Sequence, residues 1–139
     1  GEVLAAHPEK AFVWGYGHAF VFGAVAATGA GLHVIGYVFD PHYHVSVMVA
    51  VASVAIPVLV YQAALYGLFS WLIGAFVKNL AVQVPATLLP IVGIVLAAVG
   101  APLWLCLLMV LVGPVSTVVS FELGAWRTLQ EAHDRAVRA

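Results

Sequence analysis

Long apolar stretches alternate with very short polar ones along the whole chain. Four of them, at about residues 12–39, 45–75, 80–99 and 103–126, each have the roughly 20 residues that a helix needs to cross a bilayer core. Backbone N–H and C=O groups cannot stay unpaired in hydrocarbon, so such stretches are predicted to be helices that satisfy their own backbones. The first exceeds the thickness of a bilayer core and is expected to tilt or protrude. Short connectors carry turn chemistry: Asp40-Pro41-His42-Tyr43-His44, Lys78-Asn79 and Gly100-Ala101-Pro102. Links this short make consecutive helices antiparallel neighbours, so the predicted fold is all-α, an up-down bundle of about four transmembrane helices spanning residues 1–126. Pro57, Pro90 and Pro114 fall inside the second, third and fourth helices, where each deletes a backbone hydrogen bond and should bend its helix. Membrane helices tolerate such prolines, so structure alone can account for them. Residues 127–139 turn polar and amphipathic, with Glu131/Arg135 and Asp134/Arg138 four apart, and are expected to form a helical tail in the cytoplasm.

Composition removes the soluble alternative. The chain has 139 residues, of which 64% are hydrophobic and 8% charged, against about 25% charged in soluble domains. A soluble fold of this size would need a largely polar exterior, and the polar residues are missing. A cleavable signal peptide does not fit, because the first apolar segment is about twice the length of a signal h-region and others follow it. Five Lys and Arg cannot form the dense basic patch that phosphate recognition needs, so no nucleic-acid partner is expected. A single cysteine, Cys106, rules out an intrachain disulfide and a Cys-based metal cluster.

The cations set the expected orientation. Lys10, Lys78, Arg127, Arg135 and Arg138 all fall on one side of a four-crossing bundle and the opposite connectors carry none, which places both termini in the cytoplasm. Trp14, Trp71 and Trp126 near that interface and Trp104 near the other agree.

Gly15, Ala19, Gly23, Ala27 and Gly31 recur every fourth residue along the first helix. Membrane helices associate through close backbone contact, so this ridge is expected to be a packing seam. It would join two chains or two helices of one bundle, the latter being the commoner use of small residues.

Ionisable groups in the predicted bilayer are His18, His33 and Glu122. A carboxylate there is costly unless it is paired, neutralised or able to reach the headgroups. His18 and Glu122 lie at similar depths near the cytoplasmic side, where an antiparallel bundle could join them into a proton-exchanging pair. Gln62 and Ser120, with Ser116 and Thr117, complete a candidate buried polar seam. The alternative is that Glu122 reaches the headgroups or pairs with Arg127, His18 hydrogen-bonds locally, and the hydroxyls bond back to their own helix. Asp40, His42 and His44, with His33 about two turns inside, resemble a ligand string, but offer no second clear pair for a closed metal site, so no metal is expected. A bis-histidine haem would need facing ligands at one depth, whereas His18 and His33 share a helix and are separated by about 22 Å of rise. No cofactor is therefore expected from these residues, and no P-loop, dinucleotide fingerprint or Ser/His/Asp arrangement is visible.

The stretch Phe12-Val13-Trp14-Gly15-Tyr16-Gly17-His18-Ala19-Phe20-Val21-Phe22, continuing through Ala26-Ala27-Thr28-Gly29-Ala30-Gly31-Leu32, resembles the bacterial low temperature requirement A (LtrA) membrane protein family. In that family a W-G-Y-x-H segment and a glycine-rich apolar helix open the C-terminal part, and further membrane helices follow. The resemblance implies a multi-pass protein of the bacterial plasma membrane. Family members are usually more than twice this length and carry an E-L-F-F-D-L type signature that is absent here, so the chain is expected to be a C-terminal portion. His18 matches the motif histidine. The family brings no substrate or established activity. The leading expectation is a non-catalytic, transporter-like or channel-like membrane body whose partners are the lipid bilayer and either missing N-terminal helices or a second copy. The alternatives are a haem or redox subunit using His18 or His33, and a purely structural helix-assembly module.

Overall fold

The computed structural model describes residues 8–73 and 80–138, with side chains at 12–68, 84, 86–120 and 122. All four expected helices form: α1 (Pro8–Gly36), α2 (Val47–Ile73), α3 (Leu80–Ala98) and α4 (Leu103–Arg138), with no strand among the described residues. Among the described residues, three helices contain stretches long and apolar enough to cross a membrane, Phe12–Gly36, Val47–Leu68 and Leu103–Ser120, and α3 carries the shorter apolar stretch Ala86–Ala98. The Lys78-Asn79 connector lies outside the described residues, as do the side chains of Lys10, Trp71, Trp126, Arg127, Glu131, Asp134, Arg135 and Arg138.

Helix ends follow local chemistry. After Gly36, α1 gives way to turns closed by Tyr37 N–H to Val34 O and Val38 N–H to Ile35 O, both 3.1 Å, so residues 37–39 are not part of the helix. Ser46 caps α2: its hydroxyl accepts the N–H of Val49 at 3.3 Å, satisfying a donor that has no intrahelical partner. At the end of α3, Gly100 has a φ of 83°, a left-handed conformation that costs glycine little. There Ala101 N–H reaches Leu96 O at 2.9 Å and Gly100 N–H reaches Ala97 O at 3.2 Å, the Schellman pattern, and Pro102 then prevents the helix from continuing. The polar tail is not separate in backbone terms, because α4 runs unbroken through it to Arg138.

Contacts between helices fix the topology. On α1 and α2, Gly17 meets Leu68 and Gly31 meets Ser53, so numbering runs in opposite senses and the helices are antiparallel. Gly93 with Cys106 and Gly113 with Ala86 establish the same for α3 and α4. Gln62 with Gly113 and Tyr66 with Thr117 keep a constant offset, so α2 and α4 are parallel, as alternation requires. Helix α2 is central: α1 packs on it, α3 and α4 pack on it, and α3 packs on α4. Val51, Val54, Ala55 and Val58 of α2 form the core with Ala97 of α3 and Cys106 and Val110 of α4. Large apolar side chains instead cover the outside, among them Phe12, Phe20, Phe22, Leu32, Val95, Leu111 and Val118. This reversed distribution, with small residues inside and large hydrophobes outside, suits a protein solvated by lipid.

The seam of α1 differs from the expected ridge. Gly15, Ala19, Gly23 and Ala27 are exposed, and nothing lies within 4 Å of a Cβ built on Gly15 or Gly23. Only Gly31 of that set is buried, against the Ser53 carbonyl. Residues four apart advance about 40° around a helix of 3.6 residues per turn, so the ridge winds away from its neighbour. The face turned to α2 runs instead through Gly17, Val21, Ala24, Thr28, Gly31 and Ile35, a spacing that alternates four and three and keeps a straight seam between two long helices.

Candidate functional site

Polar groups meet where α2, α3 and α4 converge. Gln62 of α2 is fully buried, at 0% exposure, and neither Nε2 nor Oε1 has a hydrogen-bond partner among the described residues. A buried amide left in that state costs about 1–3 kcal/mol, so its presence in a membrane-spanning helix calls for a reason. Its Nε2 lies 3.4 Å from the point where a Cβ on Gly113 would stand, so the amide packs against the Gly113 backbone.

One turn further along, the hydroxyls of Tyr66 on α2 and Thr117 on α4 are 2.6 Å apart. Thr117 Oγ1 also donates to Gly113 O at 3.2 Å, which leaves Tyr66 as donor to Thr117 and gives a directed chain from phenol to hydroxyl to carbonyl. Thr117 is 3% exposed, so this chain is interior to the bundle.

Proline chemistry contributes a further polar atom. Pro90, fully buried in α3, has no N–H, so the carbonyl of Ala86 loses its usual partner four residues on. That oxygen lies 2.6 Å from the Cβ position of Gly113 and the Pro90 ring carbon Cδ lies 3.4 Å from the same point. A parallel arrangement joins α1 and α2. Pro57 frees the Ser53 carbonyl, which sits against Gly31, and the Ser53 hydroxyl donates to Ala50 O at 2.7 Å and to Gly31 O at 3.2 Å.

Of the expected polar site, the structure brings Gln62 and Thr117 to the interior where α2, α3 and α4 converge and leaves Ser116, Ser120, His18 and Glu122 outside it. Ser116 and Ser120 bond back to their own helix, to Gly113 O and Ser116 O, both at 2.7 Å. Glu122 is exposed, and it makes no ion pair with His18 among the described residues. His18 is half-buried on α1, its Nδ1 donating to Trp14 O at 2.6 Å, with its ring near Trp14 and Phe22. The two do not meet because α1 packs on α2 while α4 contacts α2 through the Gln62–Thr117 face. His33 is exposed and edge-on to Tyr37, and Asp40 closes a local turn by accepting the N–H of His42 at 2.9 Å. Tyr66 and the Ala86 carbonyl were missed from sequence. Tyr66 lies one turn beyond Gln62, and Pro90 marks the residue four before it as an unpaired acceptor, so both signals were present.

A family model described as Bacterial low temperature requirement A protein (LtrA) matches residues 2–114. No curated protein and no solved structure matches the chain. The match covers α1, α2, α3 and the part of α4 that carries Gly113.

Proposed function

The chain belongs to the bacterial low temperature requirement A protein (LtrA) family, and on that premise we propose that it is a multi-pass, non-catalytic protein of the bacterial plasma membrane that conducts or carries a small polar solute. The observation that carries this reading is the buried amide of Gln62, without a partner among the described residues, at the convergence of three helices. An apolar residue would cost less there if the bundle served only to hold itself together. Interior prolines in α2, α3 and α4 support the same reading, since bent membrane helices bring free backbone carbonyls to polar sites. The test is solute flux into proteoliposomes carrying the full-length protein. Gln62→Leu should abolish uptake of neutral polyols or amides while leaving the helical spectrum intact, and unchanged flux would remove the basis for the proposal.

Helix assembly is a second reading, favoured by the exposure of Gly15, Ala19, Gly23 and Ala27 on the face of α1 turned away from α2. Its partner would be a second copy or further helices of the same protein. Gly23→Leu should then weaken association in detergent without lowering the stability of the individual chain.

A further inference from the structure

Gln62 divides the interface of α2, α3 and α4 into two unlike halves. Toward Gly100, Val51, Val54, Ala55 and Val58 of α2 join Ala97, Cys106 and Val110 in one apolar cluster. Toward Lys78, the buried side chains of these helices among the described residues are Ala86 and Thr117, and the Tyr66 and Thr117 hydroxyls, 2.6 Å apart, tie α2 to α4. Prolines mark the boundary. Pro90 Cδ and Gln62 Nε2 each lie 3.4 Å from the point where a Cβ on Gly113 would stand, and Pro114 follows Gly113 in the chain. Each proline deletes one backbone hydrogen bond, so α3 and α4 bend most easily at the level of Gln62. Helix α1 braces α2 across that same level, with Gly31 against Ser53 on one side and Gly17 against Leu68 on the other.

Two polar features at the boundary act in opposite directions. The Gln62 amide is sealed from solvent and has no partner among the described residues, which disfavours the closed packing. The Tyr66–Thr117 bond, one turn further on, exists only while α2 and α4 stay together, which favours it. We propose that the segments of α3 and α4 on the Lys78 side form a hinged gate. They pivot against the braced α1–α2 pair at Pro90 and at Gly113-Pro114, the Tyr66–Thr117 bond latches them shut, and opening brings water to the Gln62 amide. The apolar cluster holds the other end together in both states. The gate is a property of the packing and holds whether or not a solute crosses the bundle.

Distances between pairs of nitroxide labels, measured by electron–electron double resonance on the full-length protein in lipid nanodiscs, test the gate without reference to flux. Labels at Gly67→Cys on α2 and Glu122→Cys on α4 report the Lys78 side. Labels at Val49→Cys and Leu108→Cys report the other side; all four positions are exposed, and the Cys106 thiol is buried. Gln62→Met removes the unpaired amide at similar length, and Tyr66→Phe removes the latch while keeping the ring. Tyr66→Phe should populate a longer Gly67–Glu122 separation at least about threefold more than Gln62→Met does, the ratio that one average membrane hydrogen bond supplies. The Val49–Leu108 separation should be the same in both. Pro90→Ala and Pro114→Ala together restore the two backbone bonds and should return the Tyr66→Phe protein to the shorter separation. Equal Gly67–Glu122 distributions in the two variants, a matching change at Val49–Leu108, or a longer separation that survives removal of both prolines would overturn the gate.

Discussion

The carbonyl oxygen of Ala86 on α3 lies 2.6 Å from the point that a Cβ on Gly113 of α4 would occupy. The same relationship recurs between the Ser53 carbonyl and Gly31 across α1 and α2. In each case a proline four residues on has removed the carbonyl's helical partner, and a glycine on the next helix lets the freed oxygen approach its backbone. Such an approach permits Cα–H···O contact and dense packing, which drive membrane helices together where the hydrophobic effect does not.

Alanine substitutions at the glycines should therefore divide into two groups. Gly31→Ala and Gly113→Ala place a methyl against a backbone oxygen that cannot move aside easily, and each should destabilise by about 1–3 kcal/mol. Gly15→Ala and Gly23→Ala meet nothing within 4 Å and should leave the chain's own stability unchanged. Reversible unfolding in mixed micelles measures all four. Equal losses across the set would mean that α1 presents a different face to α2.

The Tyr66–Thr117 hydrogen bond should behave as a coupled pair. Interhelical bonds in membranes average about 0.6 kcal/mol and reach about 1.7 kcal/mol, and this one is short, with a half-buried Tyr66 and a buried Thr117. Tyr66→Phe and Thr117→Val should each cost an amount in that range, and the double variant should cost little more than the larger single loss. Strict additivity in the cycle would show that the two hydroxyls do not bond.

The four helices were legible because each apolar stretch must close its own backbone hydrogen bonds in lipid, and the connectors mark where that requirement ends. The rotation of each helix about its axis was not. A helix that is apolar all round carries no pattern telling inside from outside, so spacing alone pointed to Gly15-Ala19-Gly23, and the face through Gly17, Ala24 and Gly31 was not marked. A strict spacing of four drifts, whereas the observed seam alternates four and three. For the same reason Ser116, Thr117 and Ser120 could not be told apart: neighbouring residues differ by about 100° on a helix, and of the three only Thr117 is fully buried. Gln62 was found because its polarity alone marks it, whichever way the helix turns.

His18 and Glu122 should act independently. His18 is engaged with Trp14 O at 2.6 Å on α1, while Glu122 is exposed on α4. In a cycle built on His18→Gln and Glu122→Gln, the two effects on stability should add to within about 0.5 kcal/mol, as they do for sites without shared partners. A larger coupling would require the two helices to approach one another in the membrane.

Orientation can be tested by cysteine labelling, because the thiol of Cys106 is fully buried in the core beside Val110 and has its Sγ 3.9 Å from Ala101 O. An impermeant maleimide should therefore leave Cys106 unlabelled in intact cells. His44 lies on the exposed connector between α1 and α2, at the end of the bundle where no Lys or Arg occurs, and Asn79 lies beside Lys78 in the next connector. The positive-inside rule predicts that Lys78 faces the cytoplasm, so His44→Cys should label in intact cells and Asn79→Cys only after permeabilisation. The reverse pattern would invert the bundle. It would put Gln62 and Tyr66 in the outward-facing half of α2, because the α2 residue numbers rise from the His44 connector toward Lys78.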